Sequence, residues 1–238
     1  EDPNSETPIP QMIPAAGYLI YTIQPGDTLP ALAKRFGVPA HTFRSEALLP
    51  EEGLLPVNLR IQIPDLLEGT LPYNTPILPD SEVIYGPSVG DFEATAYAFS
   101  AGGFLSSYSE MVKGEEMLGP DIVARVALET STNPRLLLAL LEYQSGWVFG
   151  TPPNAATDPY PIGFGAVADT GLYKELMISA KVLAQGFYGW RNGSRLDLAF
   201  YGGGNGRLSP ELNAGTTALM HLFAVIYPQE AWEGRLFG

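Results

Sequence analysis

The 238-residue chain contains no cysteine, which removes disulfides, thiolate metal ligands and a cysteine nucleophile together. Histidine is nearly absent too. His41 and His221 are far apart in sequence and neither sits in a cluster of ligating residues, so no metal or other cofactor is expected and a Ser-His-Asp triad is disfavoured. No apolar run approaches the roughly 20 residues that a membrane helix needs, and membrane insertion is not expected. The opening "EDPNSETPIPQMIP" is acidic and broken by proline, unlike a signal peptide; it reads as an exposed tether, any export signal being removed or outside this sequence. Basic residues are scarce, 13 against 26 acidic ones, for a formal charge of −13. That deficit speaks against nucleic acid or an anionic membrane surface as the main partner, since both require a basic face. A neutral, hydroxyl-rich ligand stays compatible.

Against these absences stand a 45% hydrophobic fraction, enough for a packed core, and a clear change of pattern along the chain. Residues 1–17 hold four prolines without periodicity and form a linker. "YLIYTI" (18–23) is a short β-rich run, followed by the turn "QPGDT", where Asp27 or Thr28 is placed to cap a helix. Leu29, Leu32, Ala33 and Phe36 then follow i, i+3, i+4, i+7, one apolar stripe, with Pro30 in the first turn and Gly37 at the stop. A weaker helix is predicted over about 39–48, and "LRIQIP" (59–64) alternates as a closing strand.

These residues resemble a LysM domain: the Gly26-Asp27-Thr28-Leu29 core, the basic-aromatic-Gly-Val run at 35–38, and the strand ending in Ile63-Pro64. The resemblance covers about 18–64, within a module placed at 18–66, and implies a small βααβ fold. It also implies binding of N-acetylglucosamine-containing glycans, peptidoglycan or chitin-like. The groove would lie between the 24–29 turn and the loop before the second strand, with Gly26, Asp27, Thr28, Leu29, Leu54 and Leu55 as its contacts. Many members carry an Asn after the second helix, where this chain has "SEALLPEEGLLP".

Residues 67–90 are a proline-rich linker, semi-rigid and able to lie against a neighbour. From 91 to 238 the period turns helical, with helices predicted near 91–100, 103–113, 120–130, 134–145, 171–186, 195–201 and 210–226. Asn133 and Ser209 are placed as caps before Pro134 and Pro210. The expectation is an all-α second domain, so the fold class overall is α+β: a βααβ module plus a mainly α domain.

Three segments of that domain resemble the lytic transglycosylase and goose-type lysozyme superfamily: "NPRLLLALLEYQSGWV" (133–148), "YPIGFGAV" (160–167) and "LAFYGGGNGRL" (198–208). The resemblance implies a lysozyme-like cleft bordered by Tyr160, Phe164, Tyr201 and Asn205, and it implies a general acid immediately before Ser-Gly. Glycosidic cleavage needs a carboxylic acid to protonate the leaving oxygen. That position holds Gln144, and an amide has no proton to give. Glu142 is the nearest carboxylate, but residues two apart on a helix diverge by about 200°. Leu137, Leu140, Leu141 and Gln144 share one stripe, which puts Gln144 toward the cleft and Glu142 toward solvent. Glu129, Asp158 and Asp169 are further carboxylates without a distinguishing signal. The expected protein is therefore a bacterial, extracellular or cell-envelope, wall-binding protein with an inactive lysozyme-like domain. The rival is an active lytic transglycosylase or muramidase using Glu142 or another acid. Chains of this arrangement often carry a further catalytic domain.

Overall fold

The computed structural model describes residues 14–151, 159–164 and 170–238. The chain divides into two compact units. The first runs through Thr70 and includes Arg191–Gly193; the second comprises Leu71–Trp190 and Ser194–Gly238.

In the first unit, β1 (Tyr18–Thr22) pairs antiparallel with β2 (Arg60–Pro64), Tyr18 opposite Pro64 and Thr22 opposite Arg60. Helix α1 (Leu29–Phe36) starts where the sequence places it. The Thr28 hydroxyl accepts the Ala31 N–H at 3.3 Å, and Gly37 ends the helix in the left-handed region at φ 68°. The weaker helix predicted over 39–48 is a single 3₁₀ turn, Ala40–Thr42. Tyr21, Ile23, Leu32, Phe36, Ile61 and Ile63 form the buried core between the strands and α1.

The second unit is mainly helical: α2 (Ala94–Ala101), α3 (Gly119–Thr130), α4 (Pro134–Ser145), α5 (Leu172–Arg191), α6 (Ala214–Ile226) and α7 (Gln229–Phe237). Two predicted helices are hairpins instead, so the unit is not all-α. The stretch 103–113 is a 3₁₀ turn at Phe104–Ser106 followed by β3 (Ser109–Val112), which pairs with β4 (Glu115–Leu118). The stretch 195–201 contains β5 (Asp197–Ala199), paired with β6 (Asn205–Arg207) through the glycine turn at 202–204. Strands of three and four residues are too short for an alternating pattern to outweigh a helical one. Ser209 and Pro210 do not open a helix; α6 begins four residues later, behind Asn213.

The segment expected to be a linker belongs to this second unit from Leu71 onward. Leu71, Tyr73, Leu78 and Ile84 pack on its core, Val83 is part of that core, and Val89 is buried. The Ile77 and Leu78 N–H groups donate to the Thr216 hydroxyl at 2.8 and 3.1 Å. Asp80 Oδ1 accepts from the Gly215 N–H and from Asn213 Nδ2, both at 2.7 Å, so Asp80 caps the start of α6 from a distant part of the chain. Gly215 has no room for a side chain, since a Cβ there would lie 2.5 Å from the Leu78 carbonyl oxygen. Among the described residues no helix is long and apolar enough to cross a membrane.

Candidate functional site

In the first unit an open groove of about 780 Å³ runs between the start of α1 and the loop 45–51, with Leu29, His41, Phe43, Glu46, Leu48 and Leu49 among its walls. Of the residues expected to contact a glycan, Leu29 alone lines this groove. Its other wall is the 45–51 loop rather than Leu54 and Leu55. Leu55 is 3% exposed and packs in the core, while Leu54 is 69% exposed and stands outside the groove. Leu48, 96% exposed, presents an apolar side chain to solvent at the groove's edge.

Asp27 is also elsewhere than expected. Its carboxylate is buried and fully engaged. Oδ1 meets Arg35 Nη1 at 2.7 Å, and Oδ2 accepts from the Tyr21 hydroxyl at 2.7 Å and from the Gln24 N–H at 2.8 Å. Arg35 Nη2 closes the set by donating to the Tyr21 oxygen at 2.7 Å. Burial pushes the Tyr21 hydroxyl well above its ordinary pKa, so it stays a neutral donor. Asp27 therefore fixes the turn from inside, Gly26 supplies its positive φ of 89°, and Thr28 caps α1. The turn's contribution to the groove is Leu29.

In the second unit, α4 is opened by Asn133, whose side chain accepts the Arg135 N–H at 2.9 Å, and closed by Gly146 in the left-handed region. Both residues of the Glu142/Gln144 pair are half-buried, and they diverge as helical geometry requires. Gln144 accepts the Tyr227 hydroxyl through Oε1, and its buried Nε2 has no partner among the described residues. Glu142 is not simply on the solvent side. Its Oε2 accepts the Val148 and Phe149 N–H groups at 2.9 and 3.0 Å, folding the chain back after α4. The same residue lines an apolar groove of about 600 Å³ with Phe92, Tyr97, Arg135, Tyr143 and Phe149. Helical phase alone misses this, because the groove is built by the turn after α4.

The remaining cleft candidates are not brought together by that groove. Phe164 is 5% exposed and packs in the core, and Tyr160 is half-buried. Tyr201 and Asn205 are exposed on the β5–β6 hairpin, where the Tyr201 N–H is tied to the Ala224 carbonyl. Asp158, Asp169 and the end of "YPIGFGAV" lie outside the described residues. Glu129 is clamped by the Tyr173 hydroxyl, Arg125 and Lys113, whose hydrogen bonds lower its pKa to about 2. An acid held that strongly ionised is no proton donor near neutral pH.

Two carboxylates escaped notice in the sequence. Glu175 is buried in α5, accepting the Ile162 and Gly163 N–H groups through Oε2 and the Phe164 N–H through Oε1 at 2.7–3.0 Å. Burial raises its pKa by more than the three donors lower it. Its signal was an acid on the stripe of Leu172, Leu176 and Ser179. Glu110 on β3 accepts from Leu172 N–H, Tyr173 N–H and the Tyr108 hydroxyl, closing the start of α5 from outside the helix. Both are structural by their bonding. Among the described residues no group of three or more metal-ligating side chains is found.

Comparison with protein-family models matches residues 76–237, more than half of the chain, to "LasA, N-terminal domain". The chain belongs to the LasA N-terminal domain family. A second model, the LysM domain, matches residues 21–64, in line with the sequence resemblance there. The LasA N-terminal domain match begins inside the segment expected to be a linker and takes in α2 through α7. No curated protein and no solved structure matches the chain. The lysozyme-like resemblance of 133–148, 160–167 and 198–208 finds no counterpart in these matches; those segments fall within the LasA N-terminal domain match.

Proposed function

We propose that this is a cell-envelope or extracellular protein of a bacterium that holds peptidoglycan, or a chitin-like glycan, through its first unit without cutting it. The observation that carries the reading is the LysM match over 21–64 on a unit with an open groove at Leu29 and the 45–51 loop. The acidic balance agrees with an uncharged ligand. Absence of cleavage is supported by the state of the two candidate acids. Gln144 carries no proton to give, and Glu142 is tied to two backbone N–H groups. The family description, an N-terminal domain, favours a companion role for the second unit beside a catalytic domain.

The test is retention on insoluble peptidoglycan and on chitin. The protein is expected to co-sediment with one of them, and Leu48→Asp, which places a charge on an exposed groove residue without touching the core, is expected to weaken retention. No retention on either polymer removes the glycan reading. One observation favours the rival: Glu142 does line an apolar groove. Turbidity and muropeptide release from the same polymer separate the two. Release that vanishes in Glu142→Gln would make the second unit an enzyme.

A further inference from the structure

The groove between α2 and α4 is built, not left over. Helix α2, ATAYAFSA, carries four alanines, Tyr97 and Phe99 with only Thr95 and Ser100 as polar side chains, a composition that ordinarily ends up largely covered. Here it buries only Ala94 and Ala98 and leaves Tyr97 42% exposed. The aromatic walls hold one another: Phe92 to Tyr97 at 5.3 Å, Tyr97 to Phe149 edge-on at 6.2 Å, and Tyr143 anchored by its hydroxyl to the Arg235 carbonyl at 3.2 Å. Apolar recesses of this volume, with a few placed polar groups, are the usual form of a ligand site.

Two charges mark its ends. The Arg135 guanidinium lies over the Phe92 ring, 5.0 Å from its centroid, and has no ion pair or hydrogen bond with another described residue. Glu142 is immobilised through Oε2, and its Oε1 has no partner among the described residues. The two are seven residues apart, two turns along one face of α4, or about 10.5 Å at ~1.5 Å per residue. An extended peptide advances ~3.3–3.6 Å per residue, so about three residues bridge that span.

We propose that this groove binds a short peptide with free ends, its carboxylate on Arg135, its ammonium on Glu142 and an apolar side chain between the aromatic walls. The charges fix the direction. A reversed peptide would set like charges together at both ends. A planar guanidinium backed by a ring offers its edge to a carboxylate as a two-pronged donor. A neutral saccharide could hydrogen-bond both groups but would bring no opposite charge to either. This site is independent of glycan binding by the first unit.

Calorimetric titration with Ala-Leu-Ala in four forms tests it: free, N-acetylated, C-amidated, and blocked at both ends. The free form is expected to bind best, with each block weakening binding roughly two- to fivefold, about the range of a partly exposed charge contact. The variants should each erase one penalty. Arg135→Gln abolishes the loss on amidation and keeps the loss on acetylation; Glu142→Gln does the reverse. Because glutamine retains an oxygen to accept the Val148 and Phe149 N–H groups, Glu142→Gln is expected to fold, and its thermal midpoint checks this. Equal binding of all four forms, no binding of the free tripeptide at millimolar concentration, or penalties that survive in both variants would overturn the proposal. Competition by chitohexaose for the same groove would reassign it to a glycan.

Discussion

In the first unit the buried carboxylate of Asp27 faces a guanidinium, a phenol and one backbone amide, whereas in the second that of Glu175 faces three backbone amides and, among the described residues, no side-chain donor. Both arrangements satisfy a charge inside apolar packing, and they do so with different tolerance to change. The Asp27–Arg35 pair, with side chains 5% and 1% exposed, depends on two residues at once, and deleting one strands the other. The amides around Glu175 belong to the chain at 162–164 and remain whatever the side chain becomes. A small unit with one helix has staked its main turn on a side-chain pair; the larger unit has used an acid to hold a loop. Side-chain pairs of this kind are therefore brittle, and amide nests yield by degrees.

The largest expected effect follows from breaking the pair. Arg35→Met leaves Asp27 buried and uncompensated, at a destabilisation of about 3–5 kcal/mol, enough to unfold a small unit. All three tryptophans, Trp147, Trp190 and Trp232, are in the second unit. Tryptophan fluorescence should then melt as in the parent while retention on peptidoglycan is lost. A parent-like calorimetric trace for the variant would refute the brittleness argued above. Adding Asp27→Leu to Arg35→Met should restore part of the stability, since the stranded charge is gone.

Glu175→Gln is the matching test on the other side. The amide still accepts through one oxygen but turns an NH₂ toward backbone donors, with a cost of about 1–3 kcal/mol, visible as a lowered tryptophan-monitored midpoint. A loss as large as that of Arg35→Met would erase the contrast between the two units.

Acid pH sharpens the comparison further. Glu129 has its pKa lowered from 4.5 to about 2 by the Tyr173, Arg125 and Lys113 contacts. Its contribution is present above 4.5 and lost as the pH falls toward 2. Glu175 has the opposite sign: its pKa is raised, so the stability tied to its proton is full below the unfolded value and lost as the pH rises through the folded one. Thermal midpoints between pH 5 and 2 should fall less steeply in Glu129→Gln than in the parent, and an unchanged slope would mean the surface clamp contributes nothing.

The smallest effect is expected at Gln144. Its Nε2 is buried without a partner among the described residues, so Gln144→Leu removes that donor along with the Tyr227 contact and should shift stability by less than about 1 kcal/mol. A loss of several times that size would show the Gln144–Tyr227 contact to be a true structural tie.

Much of the fold was legible where local rules act alone. Thr28 before Pro30, Asn133 before Pro134, and Gly37 and Gly146 after the last turns are local cap chemistry, although the same signal at Ser209-Pro210 opens no helix and α6 starts behind Asn213 instead. The hairpins at β3–β4 and β5–β6 were not, because their register comes from pairing across three or four residues. The site was less legible still. Asp27 and Leu55 sit in motif positions but face inward, and the groove at Glu142 depends on a turn and a helix that are distant in sequence. Glu110 and Glu175 bond to amides of other elements, a choice that only the assembled chain makes.

Asp80 reaches α6 across most of the second unit's sequence, and this decides where the molecule comes apart cleanly. A protease cut, or a recombinant fragment, that starts the second unit at Asp91 would discard the residue that closes the first turn of α6 and the two amides that hold Thr216. The smallest fragment that keeps its helices whole starts near Leu71. As exchangeable parts, then, the proline-rich strap travels with the larger piece, and the seam between the two lies ahead of the prolines rather than behind them.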